Sequence, residues 1–279
     1  MEILDGKLVR EEILSDLEKK VKKLKRPLGL VVIQVGDDPA SNVYIRQKEK
    51  MAERLGYNFS HLKFKANISQ KKLLEEIDKL NDDDKVDGIL VQMPLPEKLD
   101  ARIVQNRIND LKDVDGLTDI NMGKLMHNAS GLVPCTPKGV MDLLKHYNIE
   151  VAGKNVVIVG RSVLVGKPLY GLMLNNNATV TICHSKTKDL ENITKKADIL
   201  VAAIGKPNFI TKKHISKGTI VIDVGINRLA DGKLCGDVYL DDVKNLVSYI
   251  TPVPGGVGPM TVAELGYNTY EAYLLRNKK

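Results

Sequence analysis

Residues 156–168 read VVIVGRSVLVGKP, a stretch whose residue types suit the holding of phosphate. Four apolar, mostly β-branched residues predict a buried parallel strand. Gly160 ends that strand, a short loop follows, and Gly166 precedes Pro168, a residue suited to the first turn of a helix. Backbone N–H groups at such a strand–loop–helix joint point outward and attract anions. Two nucleotide motifs come close and fail. A Walker loop needs four residues between its glycines and a hydroxyl after its lysine. Here five residues separate Gly160 from Gly166 and Pro168 follows Lys167, so no hydroxyl is placed for Mg²⁺ and ATP hydrolysis is disfavoured. The dinucleotide fingerprint G-x-G-x-x-G is also absent, because Arg161 and Ser162 follow Gly160 directly. A glycine pair after a strand is also what an ordinary β–α turn looks like, so its neighbours must decide.

The next strand, Thr179–Cys183, ends in His184-Ser185-Lys186-Thr187-Lys188, with no acid before Asp189. A site for NAD places an acid at this tip to take the ribose hydroxyls. A basic, hydroxyl-rich tip suits a ribose 2′-phosphate instead, and Arg161 across the same crevice is able to grip it as a fork. A solvated surface loop is the plainer alternative. The cluster falls where this kind of fold reads the ribose, which favours NADP over NAD.

A second set of polar residues lies earlier. Tyr44 and Lys48 are four residues apart, and so share a helix face. Gln92 stands at the end of an apolar strand, and Asp115 lies in the polar loop Lys112-Asp113-Val114-Asp115-Gly116. Ligands of parallel α/β layers sit at the carboxyl ends of strands. Lys48, Gln92 and Asp115 are therefore read as one polar site. Taken singly, such residues are more often a surface lysine, a core-edge tyrosine (for Tyr44) or a turn aspartate.

The elements that must position these groups alternate between helix and strand. Residues 7–25 read as an amphipathic helix with Leu8, Ile13, Leu14, Leu17 and Val21 on its stripe. Residues 28–36 read as a buried strand. Asp38 then N-caps a helix with Pro39 in its first turn, which ends near Gly56. A strand over 59–64, a helix over 69–80 capped by Ser69, a strand over 87–92 and a helix over 99–108 follow. Beyond the extended residues 132–137, a helix over 138–147 precedes the glycine-loop strand and its crossover helix over 167–175. Strand-and-loop segments over 197–207 and 219–227 carry Gly205 and Ile226, and residues 236–238 read as a short turn. The Gly/Pro run over 251–261 is expected to be a loop lying along a ligand, and residues 261–276 an amphipathic helix. This predicts an α/β protein of two domains. Residues 1–137 with 260–279 form a parallel α/β substrate domain. Residues 138–259 form a Rossmann-type NADP-binding domain, and the Gly/Pro run lines the cleft between them.

Composition narrows the classes. The 279 residues, 43% hydrophobic, suffice for two cores, and no apolar run approaches membrane-spanning length. Residues 1–5 lack a basic region followed by an apolar one, so no signal peptide is expected. Cys135, Cys183 and Cys235 are odd in number and lack metal-like spacing, which predicts a reducing compartment, no disulfide framework and no metal. The net charge of +7 is spread among acids and aromatics are only 4%, so a stacking platform for nucleic acid is not expected. A basic balance suits an anionic small substrate.

Together these residues make the chain resemble the bifunctional methylenetetrahydrofolate dehydrogenase/methenyltetrahydrofolate cyclohydrolase family along almost its full length. The resemblance is carried by Tyr44-Ile45-Arg46-Gln47-Lys48, Gln92-Met93-Pro94-Leu95-Pro96, Lys112-Asp113-Val114-Asp115-Gly116 and Pro134-Cys135-Thr136-Pro137. It continues in Gly160-Arg161-Ser162, Val165-Gly166-Lys167-Pro168, Asp223-Val224-Gly225-Ile226-Asn227 and the Gly/Pro run. It implies NADP-dependent oxidation of 5,10-methylenetetrahydrofolate to the methenyl form, then hydrolysis to 10-formyltetrahydrofolate, by a cytoplasmic homodimer. It implies Lys48 as the proton carrier, Gln92 as its holder, Tyr44 stacked on the aminobenzoate ring and Asp115 hydrogen-bonded to the pterin. Pro254, Gly255 and Gly256 are expected to touch substrate. Gly160, Arg161, Ser162, Gly166, Ser185, Gly205 and Ile226 are expected to hold NADP. Two positions depart from the family pattern. Asp110 stands where proline is usual, which bears on the loop carrying Asp115. Tyr239 follows Gly236-Asp237-Val238 where an acid is common, away from the expected chemistry. The synthetase domain fused to some relatives is not expected at this length. An NADP-dependent dehydrogenase for another substrate would lack the need for Tyr44, Lys48, Gln92 and Asp115 together. A non-catalytic NADP sensor or RNA-binding protein on the same fold would show no turnover.

Overall fold

The computed structural model describes residues 1–277. From the N-terminus the chain runs β1 (Glu2–Ile3), α1 (Gly6–Val21), β2 (Gly29–Val35), α2 (Pro39–Leu55), β3 (Asn58–Phe64), α3 (Gln70–Asp82), β4 (Gly88–Val91), α4 (Ala101–Arg107), α5 (Asp119–Met126) and α6 (Cys135–His146). It continues with β5 (Asn155–Val159), α7 (Gly166–Asn175), β6 (Thr179–Cys183), α8 (Leu190–Thr194), β7 (Ile199–Ala202), β8 (Ile220–Asp223), β9 (Asn227–Arg228), β10 (Leu234–Cys235), α9 (Leu240–Val243), β11 (Tyr249–Ile250) and α10 (Val257–Asn277). Two compact units result. One holds Lys48 and comprises Glu12–Cys135 with Val262–Lys279; the other holds Gly160 and comprises Met1–Glu11 with Thr136–Thr261.

In the Lys48 unit, β2 is the centre of a three-stranded parallel sheet ordered β3-β2-β4. All seven β2 residues are buried, because helices cover both faces and leave no polar side. Leu30 and Val32 face a core with Leu14 and Leu17 of α1, Ile45 and Met51 of α2, and Leu265 of α10. Val31, Ile33 and Val35 face the opposite core with Leu73 and Ile77 of α3 and Val104 of α4. Burying each such side chain contributes about 1.5–3 kcal/mol. The expected caps of α2 are present. Asp38 accepts from the Ser41 amide at 2.7 Å, and Gly56 closes the helix in the left-handed region at φ 68°. The last helix returns to this unit as expected. A side chain on Gly266 would meet Met51 and Leu55, and Tyr57 Oη donates to the Gly266 carbonyl at 2.9 Å. It is not amphipathic, however. Residues 262–266, Asn268, Thr269 and Ala272 are buried, so most of its circumference is interior along that length.

The Gly160 unit carries a six-stranded sheet ordered β1-β11-β8-β7-β5-β6, with every pairing parallel. The chain winds from β5 outward to β6, then crosses to β7 on the other side. The strand order thus reverses between β5 and β7, the switch point where such sheets bind ligands.

Three sequence expectations are corrected. Residues 1–11 belong to the Gly160 unit rather than with residues 12–137. There β1 adds to the sheet edge through Glu2↔Tyr249 and Ile3↔Ile250, and Leu4 is fully buried. A two-residue strand has no period to read. The Gly/Pro run is a loop only to Gly256; Val257 already starts α10, and Pro259 sits in its first turn, where no amide hydrogen is needed. Likewise α6 starts at Cys135, with Pro137 in its first turn, so residues 135–137 are helical rather than extended. The elements α5, α8, α9, β1 and β9 to β11 are short and carry no periodic signal.

Asp87 is fully buried and binds Arg26 in a fork at 2.6 and 2.9 Å, the Gly29 amide at 2.8 Å, and Arg276 of α10. Removing the carboxylate by Asp87→Ala leaves two arginines without their anion. Both arginines still reach solvent, so the cost lies near the low end for a broken buried pair, about 3 kcal/mol, read as a lower urea midpoint. Arg276→Ala should cost less, because Arg26 and the Gly29 amide still hold Asp87.

Candidate active site

α2 presents Tyr44 and, one turn later, Lys48. Lys48 Nζ donates to Gln92 Oε1 at 2.7 Å. Gln92 follows β4 directly. Its Nε2 donates to the Met93 carbonyl at 2.8 Å, which turns the amide oxygen toward the lysine. Burial pulls the Lys48 pKa below the ordinary lysine value, against the opposing pull of Asp115 and Cys135. Burial also lifts the Asp115 carboxyl above its ordinary value, with Lys48 opposing the rise and Asp113 adding to it. The structure therefore brings Lys48, Gln92 and Asp115 together. Tyr44 stays exposed, at 37%. An uncharged amide is the partner that holds the amine without restoring its charge. A carboxylate in that place would favour the ammonium.

The loop that carries Asp115 is not the open polar loop its sequence suggests, because Lys112, Asp113 and Val114 are all buried. Lys112 Nζ donates to the carbonyls of Leu80, Asn81 and Asp83 at 3.0, 2.7 and 2.8 Å, capping the end of α3. Asp113 accepts from the Thr118 amide at 2.8 Å, from Asn121 at 3.0 Å and from Gln105 at 3.1 Å. Gly116 takes φ 70°, and a Cβ there would lie 2.6 Å from Val133 C and Pro134 N. Two of the loop's three charged residues thus build the frame for the third. Asp110 pairs with Lys124 at 2.6 Å, and its carbonyl accepts from Asn121 at 2.8 Å. In place of the usual proline, a charge ties the loop to α5.

Sequence reading missed Asn268. Fully buried on α10, its Nδ2 donates to the carbonyls of Val114 at 2.9 Å and Val133 at 2.8 Å, the latter facing Gly116. Cys135 Sγ also donates to the Val114 carbonyl, at 3.2 Å. An asparagine within a helix carries no local sign of such a clamp; only its contacts reveal it.

In the Gly160 unit the expected cofactor residues share one edge, the carboxyl ends of β5 to β8. Gly160 takes φ 136°, and a Cβ there would lie 2.1 Å from the Ala203 carbonyl oxygen. A Cβ on Gly166 would lie 2.1 Å from the Gly160 oxygen, so both glycines are required for close backbone packing. Ser162 Oγ accepts from the Val165 amide at 3.1 Å and shapes the loop from within. Arg161 and Ser185 are exposed on loops after the paired strands β5 and β6. At the β6 tip, His184 N donates to Thr187 Oγ1 at 2.8 Å and Lys186 N donates to His184 Nδ1 at 3.1 Å. Gly205 is exposed at φ 70°, and Ile226 is exposed after β8. Among the described residues Arg161 has no ion pair, and Asp189 is the first acid after β6. This donor set fits a nucleotide bearing a 2′-phosphate. Pro254, Gly255 and Gly256 also lie in this unit. A Cβ on Gly6 would lie 1.8 Å from the Gly256 oxygen, so the two backbones touch. Residues 236–238, read as a turn away from the chemistry, reach the same sheet edge, and Asp237 is fully buried there. Among the described residues no group of three His, Cys, Asp or Glu could hold a metal.

Residues 4–115 match the tetrahydrofolate dehydrogenase/cyclohydrolase catalytic domain, and residues 134–277 match the NAD(P)-binding domain of the same description. The bifunctional protein FolD of Bacillus subtilis is 50% identical over 273 residues, covering 97% of this chain and 96% of its own. That of Ligilactobacillus salivarius is 51% identical over 272 residues, covering 96% and 95%. The crystal structure of the bifunctional FolD enzyme from Campylobacter jejuni is similar at TM-score 0.97 and 46% identity, covering 99% of each chain. The Trypanosoma brucei FolD structure, complexed with NADP cofactor and inhibitor, is similar at TM-score 0.94 and 36% identity, covering 99% of this chain and 98% of its own.

The clamp on the Asp115 loop has a measurable consequence. Asn268→Leu keeps an apolar volume but removes the donor from two carbonyls. Stability should fall by roughly 1–3 kcal/mol in urea unfolding. Amide hydrogen exchange should quicken at Gly116 and its neighbours, while β5 keeps its wild-type protection.

Proposed function

The chain belongs to the tetrahydrofolate dehydrogenase/cyclohydrolase family, and from that premise we propose how its residues divide two successive reactions on one folate. The protein is a bifunctional enzyme of one-carbon folate metabolism, a methylenetetrahydrofolate dehydrogenase and a methenyltetrahydrofolate cyclohydrolase. The observation that carries the division is the Lys48–Gln92 hydrogen bond of 2.7 Å beside Asp115, with burial lowering the lysine pKa.

NADP supplies the acceptor for the hydride that leaves the methylene bridge. For that step the protein needs only to hold and align, and no side chain need attack. Tyr44 offers its exposed ring to the aminobenzoate group, and Asp115 takes hydrogen bonds from the pterin. Pro254, Gly255 and Gly256 contribute substrate contacts. On the cofactor side, Arg161, Ser162 and Ser185 take phosphate groups, and Gly160, Gly166, Gly205 and Ile226 shape the surface beneath. Arg161 and Ser185 support a choice of NADP over NAD.

Water addition to the methenyl carbon is different, because protons must move. Lys48 takes a proton from the attacking water and returns it to the ring nitrogen as the carbon–nitrogen bond opens. The remaining hydroxyl proton leaves to solvent as the formyl C=O of 10-formyltetrahydrofolate forms, so one proton is released overall. A lysine does this near neutral pH only if its neutral form is populated, which burial promotes and Gln92 does not oppose. The proposal takes the enzyme as a cytoplasmic homodimer whose product feeds purine biosynthesis. Among the described residues no helix is long and apolar enough to cross a membrane.

Lys48→Met keeps the apolar stem and removes the amine. Cyclohydrolase activity should fall by about two to four orders of magnitude. NADPH should still form, and the methenyl compound should accumulate, seen by its near-ultraviolet absorbance. Unchanged cyclohydrolase would remove Lys48 from the mechanism. In Gln92→Glu the added charge raises the lysine pKa. Activity rises with pH as the amine loses its proton, so the rising limb of the cyclohydrolase pH profile should move to higher pH. Arg161→Ala should weaken NADP⁺ by roughly ten- to a hundredfold, the worth of one or two charged hydrogen bonds, and leave NAD⁺ nearly unaffected. Equal weakening of both would assign Arg161 to the pyrophosphate or the fold instead.

A further inference from the structure

Two buried carboxylates hold four chain segments together at the carboxyl ends of β7 and β8. Asp237, fully buried, accepts from the amides of Ile204, Gly205 and Lys206 at 2.6, 3.0 and 2.9 Å, and from Asn227 Nδ2 at 2.9 Å. Asp223 closes β8 and is also buried. It accepts from the amides of Gly225 and Asp237 at 3.0 Å each and of Val238 at 2.9 Å. A single hydroxyl, Thr251 Oγ1, accepts from Asp223 N at 2.7 Å and lies 3.2 Å from Asp223 O. A Cβ on Gly225 would lie 2.3 Å from the Asp237 carboxyl carbon, and one on Gly236 would lie 1.8 Å from Asp223 Oδ2. Each carboxylate thus fills the space that a glycine of the opposite segment leaves open. Among the described residues neither has a lysine or arginine within ion-pair distance, so amide dipoles alone offset their desolvation. Burial pushes the Asp223 carboxyl up to about 7, against the pull of those amides.

Three successive amides at the end of a parallel strand are a ready anion cradle. Here the chain's own carboxylate fills the cradle, so the cradle takes no phosphate and serves to fix its loop. Asp237 sets Gly205 on one loop and, through Asn227, the segment that follows Ile226 on the next. Both loops lie on the β7–β8 side of the switch point. A dinucleotide straddles that point, its adenosine half on one side and its nicotinamide half on the other. Arg161 and Ser185 occupy the β5–β6 side, so the β7–β8 loops face the nicotinamide half.

We propose that Asp237 is a positioning residue for NADP, holding the Gly205 and Ile226 loops as a preformed surface for the nicotinamide half. The inference rests on the NADP reading above. The effect should be confined to one half of the cofactor, which an ordinary structural role would not produce.

The test uses Asp237→Asn in the whole enzyme and two ligands measured by calorimetry, NADP⁺ and adenosine 2′,5′-bisphosphate. The carboxamide keeps the shape but turns a donor toward amide donors. The NADP⁺ dissociation constant should rise about tenfold or more, the worth of a lost charged hydrogen bond. Adenosine 2′,5′-bisphosphate, which covers only the adenosine half, should bind as in the wild type. Cyclohydrolase activity, which needs no hydride acceptor, should stay within about twofold. Equal weakening of both ligands would make Asp237 a support of the whole unit, and unchanged NADP⁺ binding would give it no role; either overturns the proposal. If Asp237→Asn does not fold, Asn227→Ala removes one of the four bonds, and the same selective loss of NADP⁺, smaller in size, is required. Wild-type protein that binds neither ligand would instead sink the NADP reading on which this rests.

Discussion

A half-buried amine needs a hydrogen-bond acceptor, and the acceptor's charge biases the amine's protonation. That constraint governs the Lys48 unit. Lys48 meets the neutral oxygen of Gln92, whose own N–H group is spent on the Met93 carbonyl. The amide cannot turn its donor toward the lysine without giving up that bond. Burial then lowers the lysine pKa, and the nearby Asp115 charge opposes that fall.

Holding Asp115 at the right place takes more of the fold than the chemistry itself. Lys112 caps α3, Asp113 gathers Gln105, Thr118 and Asn121, and Asn268 reaches from α10 to the carbonyls on either side. Gly116 lets the loop lie against Val133 and Pro134. Each of these groups is buried and satisfied, which is what allows charged residues in an interior. The last helix of the chain therefore supports the Asp115 loop through its backbone-holding amide as much as through its packing.

The same economy recurs in the Gly160 unit with the roles reversed. There the loops at the carboxyl ends of β7 and β8 are shaped by buried carboxylates that accept from backbone amides. Gly160, Gly166, Gly225 and Gly236 are glycines because another group already occupies the place of a side chain. A loop fixed in this way loses little freedom on meeting a ligand, which favours binding.

Local chemistry made much of this legible in the sequence. The apolar, β-branched runs that became β2 and β5 are buried almost throughout, and β6 alternates as an edge strand does, so their strand character was readable. Asp38, Ser69 and Gly56 act on amides or carbonyls within five residues, so their caps were readable too. The spacing placed Gln92 at a strand end, Lys48 on the helix that follows another strand and Asp115 in a later loop, positions that parallel α/β layering gathers. Only the tertiary structure decided the long-range matters. It put β1 on the sheet of the Gly160 unit, because a two-residue strand is specified by its partner and not by its own pattern. It made Lys112 and Asp113 interior residues, since charge in a loop says nothing of what folds over it. It buried most of α10 from Val262 to Ala272, where sequence periodicity predicted a single stripe. It joined Asp237 to amides some thirty residues away and Asn268 to carbonyls more than a hundred away. A sequence encodes such groups only as ordinary polar residues; their meaning arises when burial removes water and leaves them to satisfy one another.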